Sequence, residues 1–361
     1  MRFIGIDLHY DNFVAAYFVG DKIVQTVRIY FNDKVRFEAF LKDLRKGDFI
    51  ALEASTNSFW FYDQICERVT ECFIINTRKF LIVSGSTKKT DKIDAKKIAK
   101  KLRYRVLYSA DEDEFPTVFV PNKKVQELRT LFTTYEMLSS HKTSLKNRIF
   151  SLLVGQGYYF KSKELHARKK KEKILSLAMA DSVRFQLELL YDEIELKEKK
   201  IKEIKNKILE LGIYFEKEID KLVEIKGISV FTAIAIMTDI ADIKRFKSSK
   251  KLCSYLRSAP KVDSSNKSTK IGSVNKQSRK LALKMLLQGL AHAYKSSPYL
   301  LSIYERKIKS KKAGKVRIAI ARKIFTSIFH MLKNDKHYYW KDNYTYNNKK
   351  KEYEIFIRKL A

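Results

Sequence analysis

The chain has 361 residues, with 74 lysines and arginines against 41 acidic residues, for a net charge of +33. This length allows two or three domains, the hydrophobic fraction of 45% argues against general disorder, and the positive excess indicates a polyanionic partner. No apolar run reaches the roughly 18 residues of a membrane span, and the N-terminus has no signal-peptide pattern. We therefore expect a cytoplasmic protein without a membrane partner.

The N-terminal hundred residues predict an α/β domain, assigned to residues 1–104. Three strand-like runs come first, with Gly20 and Asp21 as a two-residue turn between the second and third. Helical and strand-like patterns then alternate. The predicted strands are 2–8, 13–19, 22–30, 48–54 and 71–77, and the predicted helices are 35–44, 58–69 and 94–103. This order resembles that of the RNase H or RuvC-like fold.

Four acidic residues occupy particular places in this order. Asp7 lies in the first strand between apolar neighbours, where a lone buried carboxylate is costly unless a cation compensates it. Glu53 ends the fourth strand, and Asp91 and Asp94 are three residues apart on one face of a helix. Carboxylates arranged in this way commonly hold Mg²⁺. Alternatively, Asp91 and Asp94 only favour a helix N-terminus that Thr90 caps.

The middle of the chain predicts long helices. Residues 105–122 contain Pro116, Pro121 and an acidic run, and predict a linker. Residues 123–215 predict a coiled-coil region, because apolar residues recur with heptad spacing. The heptad residues are Val183, Leu187, Leu190, Ile194, Ile201, Ile204, Ile208 and Leu211. An antiparallel hairpin within one chain and pairing between chains explain this pattern equally well.

Residues 216–361 predict a mostly helical C-terminal domain. Gly227, Ile228 and Ser229 resemble the turn of a helix-hairpin-helix element, whose backbone N–H groups contact DNA phosphates. A polar stretch at 258–278 holds several serines among lysines, a composition that usually marks a solvated turn. The aromatic and basic tail at residues 337–356 either clamps nucleic acid or docks on the protein.

Motifs along nearly the whole chain resemble the insertion-sequence family of DEDD transposases that includes the Piv invertase and the bridge-RNA-guided recombinases. In the first domain these motifs are GID at 5–7, LEAS at 52–55 and TDKIDA at 90–95. In the last domain they are KGISVFTA at 226–233, TDIADIKRF at 238–246, AP at 259–260 and AGKVRIAIARK at 313–323.

The resemblance implies an insertion-sequence transposase that cuts and rejoins DNA through a phosphoserine intermediate. Counted from Pro260, the nucleophile matches Ser265, with Ser264 as the alternative. Asn266 stands where the family usually has glycine, and Asn tolerates a similar backbone conformation. The implied metal site consists of Asp7, Glu53, Asp91 and Asp94 with Mg²⁺.

The resemblance also implies DNA as target and donor, a structured bridge RNA as guide, and a dimer or tetramer acting at a prokaryotic nucleoid. No recognisable helix-turn-helix or zinc finger is found in the sequence, which fits sequence choice by an RNA. The residues expected to contact nucleic acid are Gly227, Lys261, Lys267, Lys270, Lys276, Arg279, Lys312 and Lys315.

Two other functions remain open at this point. The first is a metal-dependent nuclease or Holliday-junction resolvase, in which the acids activate water and the serine is inert. The second is a non-catalytic nucleic-acid scaffold, against which the four intact acids argue. A covalent protein–DNA adduct would separate the transposase from the nuclease, and dependence on metal would separate both from the scaffold.

Overall fold

The computed structural model describes residues 1–77, 79, 90–108, 115–161, 165, 168–265, 268–274 and 278–359. The chain forms two compact units, Met1–Pro121 and Asn122–Ala361. The first unit is a mixed α/β structure and the second is mainly helical, as the sequence predicts.

The first unit is built on one mixed sheet. Its strands are β1 (Arg2–Leu8), β2 (Asn12–Val19), β3 (Lys22–Tyr30), β4 (Asp48–Glu53), β5 (Glu71–Ile75) and β6 (Thr117–Val118), and its helices are α1 (Lys34–Asp43), α2 (Ser58–Ile65) and α3 (Asp91–Tyr108). The strand order is β3-β2-β1-β4-β5-β6. β1, β2 and β3 form the predicted antiparallel meander, whereas β1, β4 and β5 are parallel neighbours.

Side chains alternate along β1 and separate the two faces of the sheet. Ile4 and Ile6 pack in one core with residues of α1 and α2. Phe3 packs on the other side with Ala99 of α3. Gly5 and Asp7 follow Phe3 in the same register, so β1 directs Asp7 toward the face that α3 covers.

The predicted linker at 105–122 differs from the observed structure. α3 continues to Tyr108, and Thr117 and Val118 pair with the end of β5. Phe115 is buried in the core beneath α3. Residues 115–121 therefore belong to the first unit, and the chain divides after Pro121.

The second unit begins with two long helices. Its helices are α4 (Lys123–Gly155), α5 (Arg168–Leu175), α6 (Asp181–Leu211), α7 (Glu216–Leu222), α8 (Val230–Ile240), α9 (Ser249–Tyr255), α10 (Leu281–Lys295), α11 (Pro298–Ile308), α12 (Ala313–Lys333) and α13 (Asn343–Arg358), with 3-10 turns at Gly212–Phe215 and Ile243–Arg245. β7 (Pro260–Ser265) and β8 (Ser268–Val274) form an antiparallel hairpin. Within the stretch at 258–278, for which the sequence predicts a turn, residues 260–265 and 268–274 are therefore strand.

α4 and α6 pack together as an antiparallel hairpin within the chain. Lys142 contacts Glu198 and the later Arg148 contacts the earlier Gln186, so the two helices run in opposite directions. Four heptad residues spaced seven apart are buried: Leu187, Ile194, Ile201 and Ile208. The intramolecular arrangement therefore accounts for the heptad pattern.

The ends of this hairpin share a core with the C-terminal helices. Val125 and Phe132 of α4 and Ile208 of α6 lie in one buried cluster with residues of α8, α10 and α12. The boundary expected at 215 and 216 therefore does not separate two compact bodies, because both sides contribute to this core.

The aromatic and basic tail packs against an earlier part of the second unit, around Asp220 and Glu224. Buried Glu224 accepts hydrogen bonds from His337 at 2.6 Å, the Tyr338 backbone N–H at 2.8 Å and Lys341 at 3.0 Å. Tyr346 donates to Asp220 at 2.7 Å. Among the described residues, no helix is long and apolar enough to cross a membrane.

Candidate functional site

The register of the sheet places Asp7 beside Glu53. β1 and β4 pair in parallel, with Ile6 opposite Leu52. The next residues along the two strands are Asp7 and Glu53, so adjacent parallel strands carry the two carboxyl groups at the same end. Glu53 is close enough to Asp7 to raise the pKa of the Asp7 carboxyl group.

A close approach between β1 and α3 brings in the other two acids. Gly5 lies directly under α3, where an added Cβ would overlap the backbone of Ala95 and Ala99. Asp91 is one helical turn before Ala95 and shares its face. Because the glycine allows the helix backbone to touch the strand, the first turn of α3 reaches Asp7.

The site is strongly negative at its centre. Asp7 is only 4% exposed. Burial and the negative charges of Glu53, Asp91 and Asp94 raise the pKa of Asp7 to about 8. Arg28 pairs with Asp91 at 2.5 Å and Lys97 pairs with Asp94 at 3.6 Å.

His9 is a member of this cluster that the sequence reasoning missed. Its Nε2 atom lies 3.6 Å from Oδ2 of Asp7 and 3.4 Å from Oδ2 of Asp91. His9 is two residues after Asp7, so the alternation of the strand could have indicated that both side chains share one face. Its neighbours in this cluster are carboxylates, so no pair of histidines in the sequence marks it.

The donor set fits a divalent cation. Asp7, His9 and Asp91 each offer a ligand atom, and these atoms all lie within 4.8 Å of one another. Two atoms bound to the same ion at about 2.1 Å can be at most about 4.2 Å apart, and both contacts of His9 fall inside that limit. Within the described chain, His9 Nε2 is occluded and has no hydrogen-bond partner.

The predicted nucleophile lies at the end of a strand in the second unit. Ser265 is the last residue of β7 and pairs with Ser268 of β8, while Ser264 pairs with Thr269. Asn266 and Lys267, which connect the two strands, lie outside the described residues. The hairpin places Ser265, and not Ser264, next to this connection.

The glycine of the helix-hairpin-helix-like turn has a packing role. Gly227 has φ +90°, and an added Cβ would overlap the carbonyl of Gly289 in α10. Ser229 caps α8 by accepting a hydrogen bond from the Thr232 backbone N–H at 3.2 Å. Close helix packing thus explains the glycine, and contact with phosphate stays a prediction.

The other predicted nucleic-acid contacts differ in their surroundings. Arg279 is bound to buried Asp239, whose second oxygen accepts from the Ala282 backbone N–H. Lys312 and Lys315 are exposed at the start of α12. Lys261 and Lys270 lie in the β7–β8 hairpin. Lys276, like Lys267, falls outside the described residues.

Family models match both the region that contains the acids and the region that contains the serine hairpin. Residues 4–157 match a family model described as an IS110-type DEDD transposase, and this segment contains all four acids. Residues 219–305 match the model "Transposase IS116/IS110/IS902 family", and this segment contains the serine hairpin. A search of curated proteins finds no match. The chain belongs to the IS110 family of DEDD transposases, enzymes that act on DNA.

Proposed function

We propose that this transposase cuts and rejoins DNA with Ser265 as nucleophile and with Asp7, Glu53, Asp91 and Asp94 holding Mg²⁺. The observation that carries the proposal is the convergence of acids from two strands and one helix around a buried carboxyl group. Keeping such a group among like charges is unfavourable without a cation.

The proposal includes an RNase H or RuvC-like nuclease domain in the first unit. Three antiparallel strands are followed by parallel β4 and β5, in the spatial order β3-β2-β1-β4-β5. The acids come from the first strand, the fourth strand and the last helix of this unit. These are the positions from which that fold takes its metal ligands, according to the resemblance in the sequence.

A bound divalent ion would supply positive charge to the scissile phosphate. The residues of the chain hold and orient that charge. Asp7 and Glu53 are fixed by adjacent strands, and Asp91 is fixed by the close contact of α3 with Gly5. Because these elements are rigid, little reorganisation is needed when charge builds up on the phosphate.

In the covalent step, the hydroxyl oxygen of Ser265 attacks phosphorus while one P–O bond to a deoxyribose breaks. The serine proton goes to a base, and the released sugar oxygen takes up a proton. A second DNA hydroxyl then attacks the phosphoserine, which re-forms a phosphodiester and frees the serine. The energy of the original bond is kept, so rejoining needs no nucleotide cofactor.

Guidance by a bridge RNA and assembly into a dimer or tetramer are also part of the proposal. The net charge of +33 supports binding of more than one nucleic acid at a time. RNA that copurifies with the protein should be sequenced. A structured RNA encoded next to the transposase gene is expected, and only random cellular RNA would count against guidance.

The decisive experiment looks for a protein–DNA adduct on denaturing gels with labelled donor and target DNA. Wild type with Mg²⁺ should form an adduct that EDTA prevents. Ser265→Ala should abolish the adduct and retain DNA binding, since a hydroxyl adds little to an affinity dominated by Lys and Arg. Ser264→Ala should still form it.

Asp7→Asn should lower cleavage by at least about 100-fold, because it removes a central metal-binding charge. The matched control is Asp63→Asn, in α2 on the opposite face of the sheet. Metal-dependent cleavage without an adduct in wild type would favour the hydrolytic nuclease. An adduct that persists in Ser265→Ala would assign the chemistry to another residue.

A further inference from the structure

We propose that His9 is a direct nitrogen ligand of the metal at the acidic site and makes this site prefer Mn²⁺ over Mg²⁺. The inference rests on the proposed function, since it deepens the metal site of the DEDD cluster. It adds a fifth residue, of a different donor type, to the four acids.

The first argument is the position of the imidazole. Nε2 faces Oδ2 of Asp7 and Oδ2 of Asp91 at 3.6 and 3.4 Å. Within the described chain, neither contact has the geometry of a hydrogen bond, and the atom is shielded from solvent. The nitrogen points between two carboxylate oxygens and forms a hydrogen bond with neither. The three atoms together have the arrangement expected of three ligands around one ion.

The second argument is that the main chain holds His9 in place. Its backbone N–H donates to the carbonyl of Asn12 at 2.9 Å. Its own carbonyl accepts from the side chain of Asn57 at 2.9 Å. His9 therefore sits on a fixed turn between β1 and β2, and the imidazole needs no loop movement to face the acids. Such preorganisation is what a metal ligand requires.

The third argument is that Asp91 has another partner. Arg28 already pairs with Asp91 at 2.5 Å. A second cation is thus not needed to balance that carboxylate. A shared metal accounts for the approach of His9 to both Asp7 and Asp91.

The donor type determines the expected selectivity. Mg²⁺ is a hard cation that prefers oxygen ligands. Imidazole suits first-row transition metals, and Mn²⁺ accepts both carboxylate and imidazole. A site with His9 should therefore bind Mn²⁺ more tightly than the same site with oxygen donors alone, while its affinity for Mg²⁺ changes little.

The test uses MnCl₂ alone with the full-length protein, free of nucleic acid. Electron paramagnetic resonance (EPR) gives the fraction of bound Mn²⁺, and electron spin-echo envelope modulation detects ¹⁴N bound to the ion. Wild type should show directly coordinated ¹⁴N. His9→Gln should lose this signal and weaken Mn²⁺ binding by at least about tenfold. Mg²⁺ affinity, measured by competition, should change much less.

His141→Gln is the matched control, because His141 is exposed on α4 in the second unit. It should keep both the ¹⁴N signal and the affinity. Mn²⁺ bound in wild type without ¹⁴N coupling would overturn the role of His9 and leave the acid site intact. Failure of wild type to bind Mn²⁺ or Mg²⁺ at all would overturn the proposed metal site and the inference together. Circular dichroism of His9→Gln checks its fold, and the wild-type spectrum tests the inference even if that variant unfolds.

Discussion

At the scale of single residues, the site depends on the carboxyl group of Asp7, whose charged form is disfavoured by burial and by neighbouring acids. Asp7 is buried between strands and faces three other acids, so its pKa is raised to about 8. An unfolded aspartate has a pKa near 3.9. Without metal, the folded protein therefore holds a proton on Asp7 that the unfolded chain releases near pH 4.

This difference predicts how the stability of the metal-free protein depends on pH. Between about pH 4 and pH 8 the native state binds more protons at Asp7 than the unfolded state, so its unfolding free energy should fall as pH rises. The slope from this group is at most about 1.4 kcal/mol per pH unit, and it should vanish above about pH 8. Chemical unfolding in EDTA at pH 5, 7 and 9 measures it.

The variants give the contrast for this measurement. Asp7→Asn cannot ionise and should show a smaller loss of stability with pH than wild type, whereas Asp63→Asn should keep the wild-type loss. Saturating Mg²⁺ should remove most of the wild-type dependence because the ion replaces the proton. Equal slopes for wild type and Asp7→Asn would mean that Asp7 has an ordinary pKa.

Residue patterns predicted the acids but not their full surroundings. Asp7 stands out because an acid in an apolar strand has no local structural purpose, and sequence spacing places Asp91 and Asp94 on one helical face. Arg28 was not predicted to join them, because its contact with Asp91 depends on strand pairing across β1, β2 and β3, whereas alternation along the chain does place His9 on the face of Asp7. Sequence spacing does not specify which side chains meet across strands.

At the scale of elements, the strands and helices of the first unit follow closely from local pattern. β1 and β3 begin and end where alternation and the turn at Gly20 and Asp21 predict. Differences occur at α2, which ends four residues earlier than predicted, and at α3, which begins three residues earlier and ends five later. The strand β6 was not predicted; it has two residues and is defined by its pairing with β5. So short a strand has no periodicity of its own, which is why the sequence around it suggested a linker.

The α4–α6 hairpin gives the prediction at this scale. Ile194 is buried between helices, whereas Leu196 is 42% exposed two residues later. Ile194→Lys places an unpaired charge in the buried seam and should destabilise the second unit by at least about 3 kcal/mol. Leu196→Lys, the matched control, should be nearly neutral for stability. Thermal unfolding measures both.

The Leu196→Lys variant also tests association between chains. Light scattering of wild type and Leu196→Lys with nucleic acid bound shows whether the exposed face contributes to an oligomer. A lower oligomeric state for Leu196→Lys with unchanged stability would place a subunit contact on this face. Equal destabilisation by both substitutions would contradict the packing of the hairpin.

At the scale of the whole molecule, basic residues occur throughout both units, and some of the acids are held in internal ion pairs. Glu224 holds the tail through His337 and Lys341, and Asp239 holds Arg279. Such acids serve internal structure and do not neutralise the surface. The net charge of +33 remains after all 41 acids are subtracted from the 74 basic residues, so it is available to nucleic acid, and this follows from composition alone.

The last prediction concerns how that charge is used. Lys312 and Lys315 are exposed at the start of α12 and, among the described residues, have no acidic partner within salt-bridge distance. If both contact phosphates, the double variant Lys312→Ala and Lys315→Ala should reduce the slope of log K against log salt by about 2 for duplex DNA. Fluorescence anisotropy between 50 and 200 mM KCl measures the slope. Lys207→Ala is the control, because Lys207 is already paired with Glu210 at 2.6 Å, and it should leave the slope unchanged. An unchanged slope in the double variant would place the DNA on another surface.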